Sequence, residues 1–171
     1  MKRRSLLPLL SLLPLTALVG CATTSSGPGA SGIAEGDPPQ PSPMTDEQAL
    51  EATLQAMALV GTPYRWGGNT PESGFDCSGL VNYVFRDMAE LRLPRTSREL
   101  ASMQGPKIEP RRLAAADLVF FGNSGTVTHV GIYVGEGRFV HAPSSGGTVR
   151  LDHLDSTYWR SNYSGARRVL R

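Results

Sequence analysis

Apolar residues recur at the spacing of an amphipathic helix in the first part of the folded region. Thr45 is a capping residue, and it begins a periodic segment that runs to Val60, where Gly61-Thr62-Pro63 stops the helix. A second helix is predicted from about Cys77, and a short third helix over 97–103. The expected apolar side of the first helix consists of Ala49, Leu50, Thr53, Leu54, Met57 and Ala58. The expected buried stripe of the second consists of Leu80, Val81, Val84, Phe85 and Met88.

The later part of the chain changes to the short apolar runs of β-strands, separated by glycine-rich turns. Helices followed by a series of short strands indicate an α+β fold with an antiparallel sheet of about five strands. The predicted strands are Asp117–Phe121, Val127–Val134, Arg138–His141, Thr148–Leu151 and Arg167–Leu170.

The N-terminal region differs in composition from the rest. Lys2, Arg3 and Arg4 precede an apolar run that is typical of a secretory leader and is too short, and too interrupted by proline, for a stable membrane span. The run ends in Leu18-Val19-Gly20-Cys21, which resembles the lipoprotein box of bacteria; in such signals the leader is cut before the cysteine, and the cysteine carries the lipid. An ordinary signal peptide with a chance cysteine is the alternative.

Three regions are therefore expected. Residues 1–20 form a lipoprotein signal peptide, and residues 21–43 form a disordered tether rich in Ser, Gly and Pro that starts at the lipidated Cys21. Residues 44–171 form one domain of ordinary size. The formal net charge of +2 is small, and an exported chain is not expected to bind nucleic acid.

The sequence has two cysteines, and lipidation of Cys21 would leave Cys77 as an unpaired thiol in a compartment that permits disulfides. Cys77 lies where the second helix is predicted to begin, so its sulfur would face unpaired backbone N–H groups and the positive end of the helix dipole. Such a position lowers a thiol pKa, and the same N–H groups stabilise an oxyanion. These properties suit a nucleophile.

A thiolate nucleophile needs a base, and the sequence has three histidines. A hairpin between the strands that carry His129 and His141 would bring them together, so His129 would act as base and His141 would orient its ring. Small Gly131 would leave room for a substrate beside them. His153 lies in a polar run and is expected at the surface. From the residues alone, a buried free cysteine with two hydrogen-bonded strand histidines stays open as the alternative.

Five sequence blocks occur in an order and spacing that resemble the NlpC-type cell-wall cysteine peptidases, bacterial relatives of the papain fold. The resemblance covers nearly all of 47–171, and the C-terminal stretch from Tyr158 is similar to the lipoprotein murein endopeptidases of Gram-negative bacteria. Ala115-Ala116-Asp117 departs from the family's Pro-Gly-Asp at a turn. The five blocks are Tyr64-Arg65-Trp66-Gly67-Gly68, Phe75-Asp76-Cys77-Ser78-Gly79-Leu80, Asp117-Leu118-Val119-Phe120-Phe121, His129-Val130-Gly131-Ile132-Tyr133-Val134-Gly135 and Phe139-Val140-His141-Ala142.

The resemblance implies roles for individual residues. Cys77 would be the nucleophile, His129 the base and His141 the orienting residue, and Tyr64 would lie over the thiol and assist the oxyanion. The residues implied to contact the substrate are Asp76, Ser78, Arg95 and Ser97. Helix capping is an equal alternative for Arg95 and Ser97. Trp66 and Phe75 are expected in the core, without a role.

The resemblance also implies a papain-like peptidase that cleaves the stem peptides of peptidoglycan through a thioacyl enzyme. The D-alanyl–meso-diaminopimelate cross-link and the γ-D-glutamyl–meso-diaminopimelate bond are both candidates, with the cross-link preferred. No metal or other cofactor is expected, and the protein is expected to be a monomer in the bacterial cell envelope, anchored through Cys21 to the outer membrane and facing the periplasm. The alternatives are an acyltransferase or amidase of related fold, a silent wall-binding scaffold, and a structural lipoprotein unrelated to enzymes.

Overall fold

The computed structural model describes residues 44–86, 93–103, 105–145 and 147–170. The predicted leader, Cys21, the tether and Met88 lie outside these residues. The described helices are α1 Asp46–Ala58, α2 Cys77–Arg86, α3 Ser97–Ser102 and α4 Thr157–Asn162, with a 3₁₀ turn over Pro110–Arg112. The described strands are β1 Asn69–Thr70, β2 Gly74–Phe75, β3 Leu118–Asn123, β4 Thr126–Gly135, β5 Arg138–His141, β6 Arg150–His153 and β7 Tyr163–Arg167.

Helix α1 begins as predicted but buries the opposite side. The Thr45 side chain accepts a hydrogen bond from the Gln48 backbone N–H, and the Gln48 side chain accepts one from the Thr45 N–H, which makes a capping box. Ala52 and Ala56 are fully buried, whereas Leu50 and Leu54 are 57% and 61% exposed. The predicted apolar side is therefore wrong for Leu50, Leu54 and Met57, whereas Ala49 packs against the core as expected. Small alanine side chains let α1 approach α2 and β4 closely, and the larger residues are left outside.

Helix α2 packs against β4 and carries the predicted stripe: Leu80, Val81, Val84 and Phe85 are fully buried. Five of the described strands form an antiparallel sheet with the order β6-β5-β4-β3-β7, and β1 pairs with β2 in a separate two-stranded sheet. The predicted α+β class and the antiparallel sheet of about five strands are confirmed. Of the described helices, none is long and apolar enough to cross a membrane.

The two faces of the sheet are covered differently. Val130 and Ile132 pack with the N-terminal helices in one core cluster. Phe121, Phe139 and Trp159 pack in a second cluster, the aromatic layer, which also includes Val119 and Ala166. The alternation of strand side chains thus places His129 on the aromatic side, opposite Val130, as its position in the sequence predicts.

The C-terminal elements differ from the prediction. Strand β6 lies two residues later than predicted, β7 covers Tyr163–Arg167 and not Arg167–Leu170, and α4 was not predicted. The β7 sequence, Tyr-Ser-Gly-Ala-Arg, lacks an apolar alternation, and it is held in the sheet by its backbone pairing with β3.

Candidate active site

The N-terminus of α2 is fixed by the side chain of Asp76. Its Oδ1 accepts a 2.7 Å hydrogen bond from the backbone N–H of Gly79, and its Oδ2 accepts one of 3.0 Å from the backbone N–H of Gly67, in the glycine-rich loop over 66–74. Asp76 therefore caps the helix and also ties it to the loop. The helix and the loop are closely packed, because a Cβ on Gly79 would lie 2.0 Å from the carbonyl oxygen of Gly68.

This cap positions Cys77 as the first residue of α2. The thiol is free and partly buried, and the backbone N–H groups of Val130, Ser78 and Cys77 itself interact with it. Burial raises the pKa of Cys77, the charge of Asp76 adds to this, and the N–H groups do not compensate. The expectation of a lowered thiol pKa is therefore wrong, and the resting thiol is protonated. Its contact with Val130 places the sulfur beside the segment of β4 that carries His129.

His129 and His141 form a pair on the strands β4 and β5. Nε2 of His129 lies 2.8 Å from Nδ1 of His141, and the two rings are nearly perpendicular at 81°. The predicted proximity of the two histidines is thus confirmed. His141 is fully buried and His129 partly.

Burial keeps both imidazoles uncharged. It lowers the pKa of His129 to about 3, with His141 and Arg150 acting in the same direction. It also lowers the pKa of His141 to about 4, although the carboxylate of Asp152 opposes the shift. At neutral pH the site therefore holds a neutral thiol and two neutral imidazoles.

Three further residues surround the histidines and were missed in the sequence. Oδ2 of Asp152 lies 3.1 Å from Nε2 of His141 and accepts hydrogen bonds from Nε1 of Trp159 at 2.7 Å and Nε of Arg150 at 3.1 Å. The Trp159 ring stacks on His129 with centroids 5.4 Å apart. Asp152 is paired with Phe139 in the sheet, two residues before His141. A strand prediction that extended past Leu151 would have placed this carboxylate on the histidine face.

A second polar group adjoins the thiol on the helix side. Arg95 donates to both carboxylate oxygens of Asp76, at 2.9 and 2.7 Å, and to Oγ of Ser78 at 2.8 Å. Burial alone would raise the pKa of Asp76, but hydrogen bonds from Arg95, Gly79 and Ser78 hold it below its ordinary value. Ser97 opens α3 and is not part of this hydrogen-bonded group.

The capping alternative is wrong for Arg95 and Ser97. Thr96 is the N-cap of α3: its side chain accepts from the Glu99 N–H, and the Glu99 side chain accepts from the Thr96 N–H. The guanidinium of Arg95 is instead committed to Asp76 and Ser78.

Tyr64 lies close enough to Cys77 and Asp76 to interact with both electrostatically. Burial raises the pKa of its phenol, and the interactions with the carboxylate of Asp76 and with the thiolate form of Cys77 raise it further. Phe75 is fully buried as expected, but Trp66 is 87% exposed, so its expected place in the core is wrong. Trp66 belongs to a tight turn that is closed by a 2.9 Å hydrogen bond from the Gly68 N–H to the Arg65 carbonyl oxygen.

Gly131 does not leave room for a substrate beside His129, so that expectation is wrong. A Cβ at that glycine would lie 2.6 Å from the Phe139 ring, so the aromatic layer fills the position that was expected to be open. A cavity of about 450 Å³ borders His129 instead, with Asn123, Thr128, Arg150, Tyr158 and Trp159 among its other lining residues. His153 is exposed, as expected, and borders a different cavity.

The fold and these side chains together define an α+β domain with a thiol–imidazole site between a helix N-terminus and an antiparallel sheet. The chain belongs to the NlpC/P60 family, whose model matches residues 61–168.

Individual relatives agree with this assignment. The chain is 45% identical over 122 residues to the murein DD-endopeptidase MepH of Escherichia coli K12, a match that covers 70% of this chain and 45% of MepH. It is 41% identical over 136 residues to the probable endopeptidase NlpC of the same organism, covering 77% of this chain and 86% of NlpC. A crystal structure of a lipoprotein-like NLP/P60 protein from Staphylococcus aureus Mu50 superposes with a TM-score of 0.65 at 37% identity, covering 79% of this chain and 45% of that one. The chain thus spans less than half the length of MepH.

Proposed function

We propose that the protein is a cysteine endopeptidase that cleaves the stem peptides of peptidoglycan. The observation that carries the proposal is the arrangement of Cys77 at a capped helix N-terminus, against the β4 segment of His129, with His129 hydrogen-bonded to His141. Membership of the NlpC/P60 family and similarity to two proteins named as endopeptidases support the substrate class.

The proposed reaction begins from the neutral pair. The sulfur of Cys77 attacks the carbonyl carbon of the scissile amide while its proton passes to the His129 nitrogen that does not face His141. The oxyanion is stabilised by backbone N–H groups at the start of α2 and by the Tyr64 hydroxyl. Because the pKa of Cys77 is raised and that of His129 is lowered, the proton moves during the attack and not before it.

The second half of the reaction regenerates the thiol. The protonated His129 gives its proton to the leaving amine, the C–N bond breaks, and a thioacyl enzyme remains. Water then attacks the thioester with His129 as base, which releases the carboxylic acid and returns the proton to the sulfur.

The remaining contacts are assigned to substrate binding. Asp76, Ser78 and Arg95 form one hydrogen-bonded group beside the thiol, and Ser97 follows them at the start of α3. Among the two candidate bonds, we propose the D-alanyl–meso-diaminopimelate cross-link, because MepH is named a DD-endopeptidase. The γ-D-glutamyl–meso-diaminopimelate bond is the second candidate.

The test is to incubate the purified protein with defined muropeptides and to identify the products by mass spectrometry. One substrate is a cross-linked dimer, and the other is an uncross-linked peptide that retains the γ-D-glutamyl bond. We expect monomers from the dimer, and no cleavage by Cys77→Ala or His129→Ala. His153→Ala is the matched control, because it removes an exposed imidazole outside the site, and it should retain wild-type activity.

Each outcome separates the alternatives. Cleavage by Cys77→Ala at the wild-type rate would refute the mechanism. Products from the uncross-linked peptide alone would move the assignment to the γ-D-glutamyl bond. A wild-type protein that binds cell wall and never cleaves it would favour the scaffold.

We further propose that the signal peptide over 1–20 is removed and that Cys21 is lipidated. The tether over 21–43 would then connect the lipid in the outer membrane to the domain over 44–171. This domain would act as a monomer in the periplasm. Mass spectrometry of the mature N-terminus should find the lipid in the wild type and in Cys77→Ser, and not in Cys21→Ser. An unmodified Cys21 in the wild type would contradict the anchor. Fractionation of the two membranes and analytical ultracentrifugation of the released domain test its location and its oligomeric state.

A further inference from the structure

One continuous hydrogen-bonded chain runs from Asp152 through His141 to His129. We propose that Asp152 is a positioning residue that fixes the order of protons along this hydrogen-bonded chain, so that the nitrogen of His129 that receives the thiol proton is unprotonated before the attack. The inference rests on the proposed function, because it concerns the base of that reaction, but it makes a separate prediction about the two imidazoles.

The first step concerns Asp152, which stands at one end of the hydrogen-bonded chain. Three donors converge on Oδ2 of Asp152: Nε1 of Trp159 and Nε of Arg150 donate to it, and Nε2 of His141 lies 3.1 Å away. Burial alone would raise the pKa of Asp152, but Trp159, His141 and Arg150 together hold it below its ordinary value. An ionised carboxylate only accepts hydrogen bonds, so Nε2 of His141 must carry a proton.

The second step follows from the neutrality of His141. Its ring is fully buried and holds one proton, which is on Nε2, so Nδ1 is an acceptor. Nε2 of His129, 2.8 Å from that atom, must then be the donor. His129 also holds a single proton, and its Nδ1 is therefore left with a free lone pair. This is the nitrogen that does not face His141, and it is the atom that the proposed reaction requires.

Asp152 itself is held in place from two sides. Trp159 is 8% exposed, and it both donates to Asp152 and stacks on His129. One side chain therefore positions both ends of the hydrogen-bonded chain. Arg150 approaches from the solvent side with its side chain 42% exposed. The ionisable groups that act on the two histidines are thus Asp152 and Arg150.

The direct test is to observe the protons in the wild-type protein. Long-range ¹H–¹⁵N correlation spectra of selectively ¹⁵N-labelled histidine distinguish a protonated ring nitrogen from a bare one. We expect His129 to carry its proton on Nε2 and His141 to carry its proton on Nε2. A proton on Nδ1 of His129 at neutral pH would overturn the proposal, whatever the variants do.

Two substitutions at Asp152 separate its acceptor oxygen from its charge. Asp152→Leu has a similar shape and no acceptor, so His141 should shift its proton to Nδ1, and His129 should then carry its proton on Nδ1. We expect kcat to fall on the order of 100-fold with an unchanged KM, because the base is lost while substrate contacts remain. Asp152→Asn keeps an oxygen for the three donors, and it should preserve the proton order and recover most of kcat.

Asp155→Leu is the matched control, since it makes the same change at an exposed aspartate three residues along the chain, outside the site. Its spectrum and kcat should equal those of the wild type. Wild-type kcat in Asp152→Leu, or equal losses in Asp152→Leu and Asp152→Asn, would refute the role of the acceptor. If the wild type cleaves no muropeptide, the proposed function fails while the histidine spectra still decide this inference.

Discussion

Arg95 clamps Asp76, the residue immediately before the thiol, through two parallel hydrogen bonds of 2.9 and 2.7 Å. The same carboxylate caps α2 and holds the glycine-rich loop, so one planar guanidinium supports three separate parts of the site. Lysine provides the same charge but not the fork-shaped pair of donors.

Arg95→Lys should therefore weaken substrate binding more than it slows the reaction. We expect kcat/KM to fall about 10-fold, mostly through KM. Lysine cannot keep the two-point contact that holds Asp76, one of the proposed substrate-binding residues, and the contact is partly exposed. Steady-state kinetics with a soluble muropeptide would measure this. Arg98→Lys, an exposed arginine of α3, should behave as the wild type. A loss confined to kcat would mean that Arg95 acts only by positioning the helix.

Gly79→Ala tests how closely the loop and the helix are packed. Its Cβ would lie 2.0 Å from the Gly68 carbonyl oxygen, a backbone atom that cannot rotate away. We expect the free energy of unfolding to fall by about 1–3 kcal/mol, the usual cost of overpacking. Urea denaturation of Gly79→Ala and of Ser102→Ala, an exposed helical position, would provide the comparison. Equal stability of the two variants would show that the loop moves at little cost.

The buried face of α1 can be tested by a pair of opposite substitutions. Leu54→Gln places a polar group at a position that is 61% exposed, and it should change the free energy of unfolding by about 0.5 kcal/mol or less. Ala56→Leu adds volume at a fully buried position, and it should destabilise the protein by about 1–3 kcal/mol. Chemical denaturation measures both free energies of unfolding. A larger loss of stability in Leu54→Gln than in Ala56→Leu would mean that the leucine side of α1 is the buried one.

The buried histidines predict a loss of stability in acid. The pKa of His141 is about 4 in the folded protein, below the value of about 6.5 in an unfolded chain. The unfolded chain therefore binds more protons between these values, and stability that is present above pH 6.5 is lost as the pH falls toward 4. His141 alone contributes a slope of about 1.4 kcal/mol per pH unit within this window.

Urea midpoints measured across that pH range would show the slope. His141→Gln should make it shallower, whereas His153→Gln, at an exposed position, should leave it unchanged. An unaltered slope in His141→Gln would mean that other groups take up the protons. The remaining slope is assigned to His129, whose pKa is lowered to about 3.

The sequence was sufficient for the parts of the site that depend on local pattern. Cys77 follows a capping aspartate at the start of a strongly periodic helix, and a short turn between two strands brings His129 and His141 together. These features can be predicted from the periodicity of apolar residues along the sequence and from the length of the hairpin.

The parts that were missed depend on packing between distant segments. Asp152 lies in a polar run that resembles a surface loop, and only its pairing with β5 turns it toward His141. The thiol pKa was expected to be low because the helix terminus is visible in the sequence, whereas the burial that raises it is not. Trp66 was placed in the core by residue type, although its loop carries it outward.

The distribution of the site along the chain has a consequence for the order in which it is assembled. Asp76, Cys77 and Ser78 belong to the first helices, while His129, His141 and Asp152 are brought together only when β4, β5 and β6 have paired. A partly synthesised or unfolded chain therefore contains the thiol without its base. The proposed peptidase therefore becomes competent only after its last strands are in place.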